Sequence, residues 1–226
     1  MSAARVPVAF LFDVDNTLLD NDRVRRDLVA AIDRTVGPGR AARFWEIYEE
    51  IRHECDYVNF PHTLERFTPT FPDEPGFPAL ADAVLAYPYG SAAFPGAHEA
   101  LRRAGAFGHA AILSDGDPVY QPAKIARAGF ADLVAGRVFV FAHKEDHLGE
   151  VERRLPAERY VLVDDKPRIL AAAKDRLGDR LITLHVCQGK YAHAAEHDTF
   201  PPADRSVDAI ADIVNLDLTA FPENAR

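Results

Sequence analysis

This chain is poor in several things that would have placed it elsewhere. Only two of its 226 residues are cysteine, Cys55 and Cys187, far apart in sequence. That is too few for a disulfide framework, and it agrees with a reduced intracellular protein whose thiols are small core residues. Basic residues are outnumbered, 26 Lys and Arg against 35 Asp and Glu, which leaves a net charge of -9. Such a chain lacks the basic footprint that nucleic-acid binding needs. No run approaches the roughly 18 apolar residues of a membrane span. The N-terminus carries one arginine and a short apolar stretch without a cleavage site, so no signal peptide is expected. Internal repeats and low-complexity tracts are missing as well. A cytoplasmic protein with no nucleic-acid and no membrane partner follows, of unknown oligomeric state.

What the chain does have is apolar material, 48% of its residues, enough for a substantial core. Five short, nearly continuous runs read as buried strands: Val8–Phe12, His109–Leu113, Val138–Phe141, Tyr160–Val163 and Leu181–Val186. Helical patterns lie between them. Pro95 opens one and Gly105 follows it. Leu148, Val151 and Leu155 mark another. Pro167 opens a third, with Ile169, Leu170, Ala173 and Leu177 on one stripe and Gly178 past its end. Alternation of this kind predicts an α/β fold, a doubly wound parallel sheet with a Rossmann-like core.

The stretch between the first two runs is too long for a simple crossover. It shows helical stripes at Val24, Leu28 and Ile32, and at Phe44, Ile47, Tyr48, Ile51 and Cys55, separated by Gly37-Pro38-Gly39. Residues 61 to 78 are proline-rich and read as irregular, with a short helix at Leu80 and Val84. The expected organisation is a core of residues 1–17 and 95–226, with a helical cap, 18–94, inserted after the first strand. The polar piece from Gln188 to Arg205 reads as a surface loop.

Chemistry-bearing residues fall at the ends of successive strands. Asp13-Val14-Asp15-Asn16-Thr17 follows the first. Ser114-Asp115-Gly116 follows the second, His143-Lys144 the third and Asp164-Asp165 the fourth. Carboxylates this close raise one another's pKa unless a cation or proton relieves them. Parallel strands bring all these ends to one edge, where open α/β sheets bind ligands. A metal site or acid–base chemistry is the natural reading.

Order and spacing resemble the haloacid dehalogenase-like hydrolase superfamily over nearly the whole chain. The first motif is matched by Asp13-Val14-Asp15-Asn16-Thr17, the second by Ile112-Leu113-Ser114, the third by a lysine, and the fourth by Val161-Leu162-Val163-Asp164-Asp165. The resemblance implies a Mg²⁺-dependent phosphatase acting on a small phosphorylated metabolite through an aspartyl-phosphate. Asp13 would be the nucleophile, and Asp15 the acid toward the leaving group and then the base toward water. Mg²⁺ would be held by Asp13, the backbone carbonyl of Asp15 and Asp165, with Asp164 a direct or indirect partner. Ser114 and Lys144 would hold phosphate oxygens, and Asn16, Thr17, Asp115 and Gly116 would complete the substrate contacts. The family's dehalogenases lack an aspartate two residues past the nucleophile, so Asp15 favours phosphoryl transfer. A phosphomutase, or a catalytically weak ligand-binding or regulatory relative, are the alternatives.

Plainer roles exist for each residue. Asp13, Asp15 and the Asp164-Asp165 pair could cap the helices that follow them, and Ser114 could be a turn residue. Lys144 could be an ordinary solvated lysine, and Lys124 competes with it for the third motif. Trp45, Tyr48, Tyr57 and Phe60 could line a substrate pocket, but at helical spacing they read first as cap core. His143, His147, His193 and His197 read as surface residues rather than a metal cluster.

Overall fold

Every second residue of the first strand faces the same side of a sheet, and the packing follows that alternation. The computed structural model describes residues 5–190 and 199–218. In β1 (Val6–Phe12), Val8, Phe10 and Phe12 join one apolar cluster while Ala9 and Leu11 join another on the opposite face. A strand buried on both faces needs helices on both, which is why its sequence reads as an unbroken apolar run.

Six parallel strands form the sheet in the order β3-β2-β1-β4-β5-β6. They are β1, β2 (His109–Asp115), β3 (Val138–Phe141), β4 (Ala157–Asp164), β5 (Leu181–Val186) and β6 (Arg205–Val207). Five of them coincide with the predicted runs. The sixth is a correction: β6 has three residues, only Val207 of them buried, and so carries no apolar run to be read. β1 lies between β2 and β4, so the aspartates at the ends of β1 and β4 and the serine of β2 are neighbours by strand order.

One face is covered by α8 (Leu148–Arg154) and α9 (Pro167–Leu177), which bury Leu148, Val151, Ile169, Leu170 and Ala173. The other is covered by α5 (Ala97–Phe107), α6 (Tyr120–Arg127) and the short α7 (Phe130–Leu133). Helix α5 runs through Gly105 to Phe107 rather than stopping before the glycine.

Between β1 and β2 stand α1 (Asn21–Val36), α2 (Pro38–Cys55), α3 (Phe60–Thr70) and α4 (Phe77–Leu85). The stretch expected to be irregular holds most of α3. Pro61 falls in the first turn, where its missing N–H has no helical partner to lose, and Pro69 is the penultimate residue. Asn59 caps this helix, its Oδ1 accepting from the His62 N–H at 2.9 Å. The insertion does not enclose a core of its own. Val24, Leu28, Phe44 and Phe67 belong to the same apolar cluster as Phe10, Phe12 and Ala100. Among the described residues no helix is long and apolar enough to cross a membrane.

Cys55 and Cys187 are both half-buried free thiols rather than full core residues, and Cys55 packs against the large cluster. His143 faces Asp56 at 3.4 Å, and His147 stacks on Phe141 with ring centroids 4.4 Å apart. His193 and His197, with residues 191–198 of the predicted polar loop, lie outside the described residues.

Candidate active site

The chain leaves β1 through a tight turn that aims two carboxylates in different directions. Leu18 and Leu19 donate their N–H groups to Val14 O at 2.9 Å, and Asn16 sits in the left-handed region at φ 64°. Asn16 Oδ1 accepts from the Asn21 N–H at 3.1 Å, tying the turn to the start of α1. From the other side Gln188, just past β5, donates to Thr17 O at 2.6 Å. Asp13 is thereby held inward beneath the strand ends, and Asp15 outward on the wall of a cavity of about 500 Å³.

The inner group is Asp13, Lys144, Asp164 and Asp165, all buried. The Lys144 ammonium contacts Asp13 Oδ1 and lies 2.6 Å from Asp164 Oδ2, an ion pair not aligned as a hydrogen bond. Burial opposes the lysine's charge, but Asp13, Asp164 and Asp115 outweigh it and hold its pKa well above the ordinary value. Burial pushes the Asp13 carboxyl up, against the pull of Lys144. Asp165 is pushed up to about 9, first by burial and then by the charges of Asp164 and Asp13. The ammonium groups of Lys144 and of half-buried Lys166 pull Asp165 down, yet burial and the neighbouring carboxylates prevail.

The hydrogen bonds single out the same group. Asp13 Oδ2 and both oxygens of Asp165 are buried with no partner among the described residues. Buried polar atoms are rarely left so. Asp13, Asp164 and Asp165 each offer a carboxylate oxygen, and these atoms lie within 4.8 Å of one another. An all-oxygen, anionic donor set of this size suits a hard divalent cation such as Mg²⁺. The Asp15 carboxylate is not part of the cluster; that residue was expected to contribute its backbone carbonyl.

Asp15 is held by α6. Gln121 Nε2 donates to Asp15 Oδ2 at 3.0 Å, and the Lys124 ammonium contacts Asp15 Oδ1. Burial works against the ionised form, yet Lys124 and the Gln121 hydrogen bond prevail and keep the Asp15 carboxyl below its ordinary range. Gln121 also donates to Ser114 Oγ at 3.0 Å, joining β2 to the same network. The two rival lysines thus have separate places, Lys144 against Asp13 and Lys124 against Asp15. Gln121 was missed by the sequence reading. A glutamine carries no chemical signal, although its i, i+3 spacing to Lys124 on the helix after Ser114 would have paired them.

The remaining expected residues divide. Asn16, Asp115 and Gly116 line the cavity. Asp115 Oδ1 accepts from the Lys144 N–H at 2.8 Å, so it places the lysine's backbone. Ser114 is buried and does not line the cavity. Thr17 is fully buried, does not line the cavity, and its Oγ1 has no partner among the described residues. Tyr48, Tyr57 and Phe60 line the cavity from the insertion, and Tyr48 and Phe60 are also buried in the large cluster, so they serve both roles. Trp45 does not reach the wall.

Asp117 joins the two halves. Its Oδ1 accepts from the N–H groups of Val119 at 2.8 Å and Tyr120 at 2.6 Å, and its Oδ2 accepts from Asn59 Nδ2 at 2.9 Å. Phe60 packs edge-on against Tyr120 beside it, with centroids 5.6 Å apart.

Comparison with known proteins agrees with this architecture. A provisionally named haloacid dehalogenase-like hydrolase from Burkholderia xenovorans LB400 matches with a TM-score of 0.86 and 45% identity, over 97% of this chain and 99% of that one. L-2-haloacid dehalogenase from Xanthobacter autotrophicus matches with a TM-score of 0.57 and 24% identity, over 92% and 97% of the two chains. The HAD-hydrolase YfnB from Bacillus subtilis, bound to magnesium, gives 0.57 and 14% over 94% and 100%. The last two share the fold. No family model matches the chain, and no curated protein does.

Proposed function

The chain belongs to the haloacid dehalogenase-like hydrolases, and from that premise we propose that it is a Mg²⁺-dependent phosphatase acting on a small phosphorylated metabolite. The observation that carries this reading is the set of buried oxygens on Asp13 and Asp165 that have no hydrogen-bond partner among the described residues, in a cluster of three carboxylates around the Lys144 ammonium. Such a site calls for a further cation, and a dianionic phosphate then has somewhere to bind. Asp15, two residues past Asp13, supports phosphoryl transfer over carbon–halogen cleavage.

Asp13, Asp164 and Asp165, with the Asp15 carbonyl, would hold the metal. When bound, Mg²⁺ supplies charge neutralisation to the carboxylates and to the transferring phosphoryl group. The Asp13 carboxylate attacks phosphorus and expels the alkoxide, which takes its proton from Asp15. Asp15, again ionised, then accepts a proton from water as the water oxygen attacks the aspartyl-phosphate. Inorganic phosphate leaves and the Asp13 carboxylate is restored. Lys144 stays charged throughout and donates to a non-bridging phosphoryl oxygen. Lys124 and Gln121 fix the direction of Asp15 and favour its ionised state, so the base half of the cycle is the better supported one.

The test is turnover of phosphate monoesters with and without chelator, coupled to trapping of an acid-labile phosphoenzyme. Phosphate release that needs Mg²⁺ is expected. Full activity in chelator, or no turnover of any ester screened, would refute the reading.

A further inference from the structure

The insertion brings two cations to the cavity wall, and a carboxylate that they share lies off it. Arg25 of α1 and Arg52 of α2 both line the cavity. Glu49 is their shared carboxylate, 2.7 Å from Arg52 and 3.8 Å from Arg25, and it does not line the cavity. The three groups together carry one net positive charge.

The Arg25 guanidinium is fixed in place by aromatic faces. It lies 3.9 Å from the Trp45 ring centroid and 4.8 Å from that of Tyr48. Stacking of this kind orients the planar fork and leaves its N–H edges free to face outward. Cations on the opposite wall are committed within the core. Lys124 contacts Asp15, Arg168 pairs with Glu145 at 2.6 Å, and Lys166 is held charged by Asp13, Asp164 and Asp165. Asp56, the acidic residue on the insertion's wall, faces His143 at 3.4 Å. Between the two ends the wall is apolar and aromatic, with Leu28, Tyr48, Phe60 and Tyr120.

We propose that the insertion end of the cavity is a subsite for a second anionic group on the substrate, a carboxylate or a phosphate, bound by Arg25 and Arg52 across an apolar wall from the reacting phosphate. The inference rests on the phosphatase reading for the reacting end. Guanidinium groups recognise both anions through paired N–H donors, so the shared chemistry is a planar or tetrahedral oxyanion on an apolar or aromatic spacer. The sign of the effect is diagnostic. On a chain of net charge -9, added negative charge without a local partner weakens binding.

Binding of benzylphosphonate, 4-carboxybenzylphosphonate and p-xylylenediphosphonate is measured by titration calorimetry with Mg²⁺ present. None of the three can be hydrolysed, so binding is read apart from turnover. At least one doubly anionic compound is expected to bind about tenfold or more tightly than benzylphosphonate, and which one does so identifies the second group. Arg25→Gln and Arg52→Gln should each reduce that ratio severalfold. Equal or weaker binding of both doubly anionic compounds, or an advantage kept in both variants, would overturn the subsite. If binding is too weak to rank, the kcat/KM ratio of 4-carboxybenzyl phosphate to benzyl phosphate decides the same question. Ranking as expected with neither ester hydrolysed refutes the phosphatase reading and keeps the subsite; equal hydrolysis of both esters does the reverse.

Discussion

The Lys144 ammonium, with its whole side chain buried, contacts Asp13. The same ammonium lies 2.6 Å from Asp164. Removing it strands two buried carboxylates at once. Lys144→Met should cost about 3 kcal/mol or more of folding stability, read from urea unfolding in chelator. It should also lower kcat/KM by at least about 30-fold, the scale of about 2 kcal/mol of lost charge stabilisation. Wild-type stability in this variant would mean that the carboxylates find their compensation elsewhere.

Asp13→Asn should abolish turnover while the melting temperature holds or rises. The amide is isosteric with the nucleophile and relieves part of the crowding of like charges, but it cannot form the phosphoenzyme. Residual activity above a few per cent in a purified sample would remove Asp13 from that role.

Gln121→Leu and Lys124→Met should act through Asp15 and not through phosphate binding. We expect kcat to fall about tenfold or more with an alkyl phosphate, with KM nearly unchanged. The fall should be as large with p-nitrophenyl phosphate, because attack of water on the aspartyl-phosphate is the same step for both esters. A loss confined to the alkyl ester would assign the two residues to leaving-group protonation instead.

Metal and pH are linked in a definite direction. Without metal, Asp165 in the fold keeps its proton up to about 9, far above an ordinary carboxyl. Between those two values the folded chain holds a proton that the unfolded chain has released. Stability of the metal-free protein should therefore fall as pH rises through that window. Mg²⁺ binding should release protons at neutral pH, seen as a dependence of the binding heat on buffer ionisation enthalpy. Asp165→Asn should raise the melting temperature in chelator at neutral pH, by about 2–4 °C if roughly 1 kcal/mol of the cost of holding that proton is removed, and should abolish the proton release. A melting temperature that climbs with pH in chelator would contradict the sign.

Gly189→Ala is a structural probe of the β1 turn. Gly189 has φ 73°, and an added Cβ would stand 2.7 Å from Asn16 Cβ. Backbone strain and a displaced Asn16 should lower both stability and kcat. If the variant retains full kcat, the turn tolerates movement of Asn16.

Strands β1 to β5 were legible because burial on both faces writes a continuous apolar run, which turn residues then bound. β6 was not, since a three-residue edge strand with one buried side chain leaves no pattern. Pro61 and Pro69 suggested irregular chain, yet a first-turn proline has no helical N–H bond to lose and one next to the last residue removes a single bond of the final turn. At the site, the aspartates and Lys144 could be placed because strand ends converge whatever the insertion does. Thr17 and Ser114 were legible as motif positions, but their burial depends on how the turn and α6 close over them. The contact of Lys124 with Asp15 spans more than a hundred residues. It joins a strand end to a helix face through tertiary packing that no local pattern records.

The hydrogen bond from Asn59 to Asp117 links two parts of the molecule through one side chain. Asp117 also caps α6, the helix carrying Gln121 and Lys124, so the edge where insertion meets core and the support of Asp15 share one carboxylate. A hydrogen bond to a charged group contributes about 1.5–3 kcal/mol. Phe60 and Tyr120 pack beside it, so this edge is held by apolar contact as well. Any shift of Asn59 is felt at the start of the helix that orients Asp15, which ties the placing of the acid–base group to the seating of the insertion.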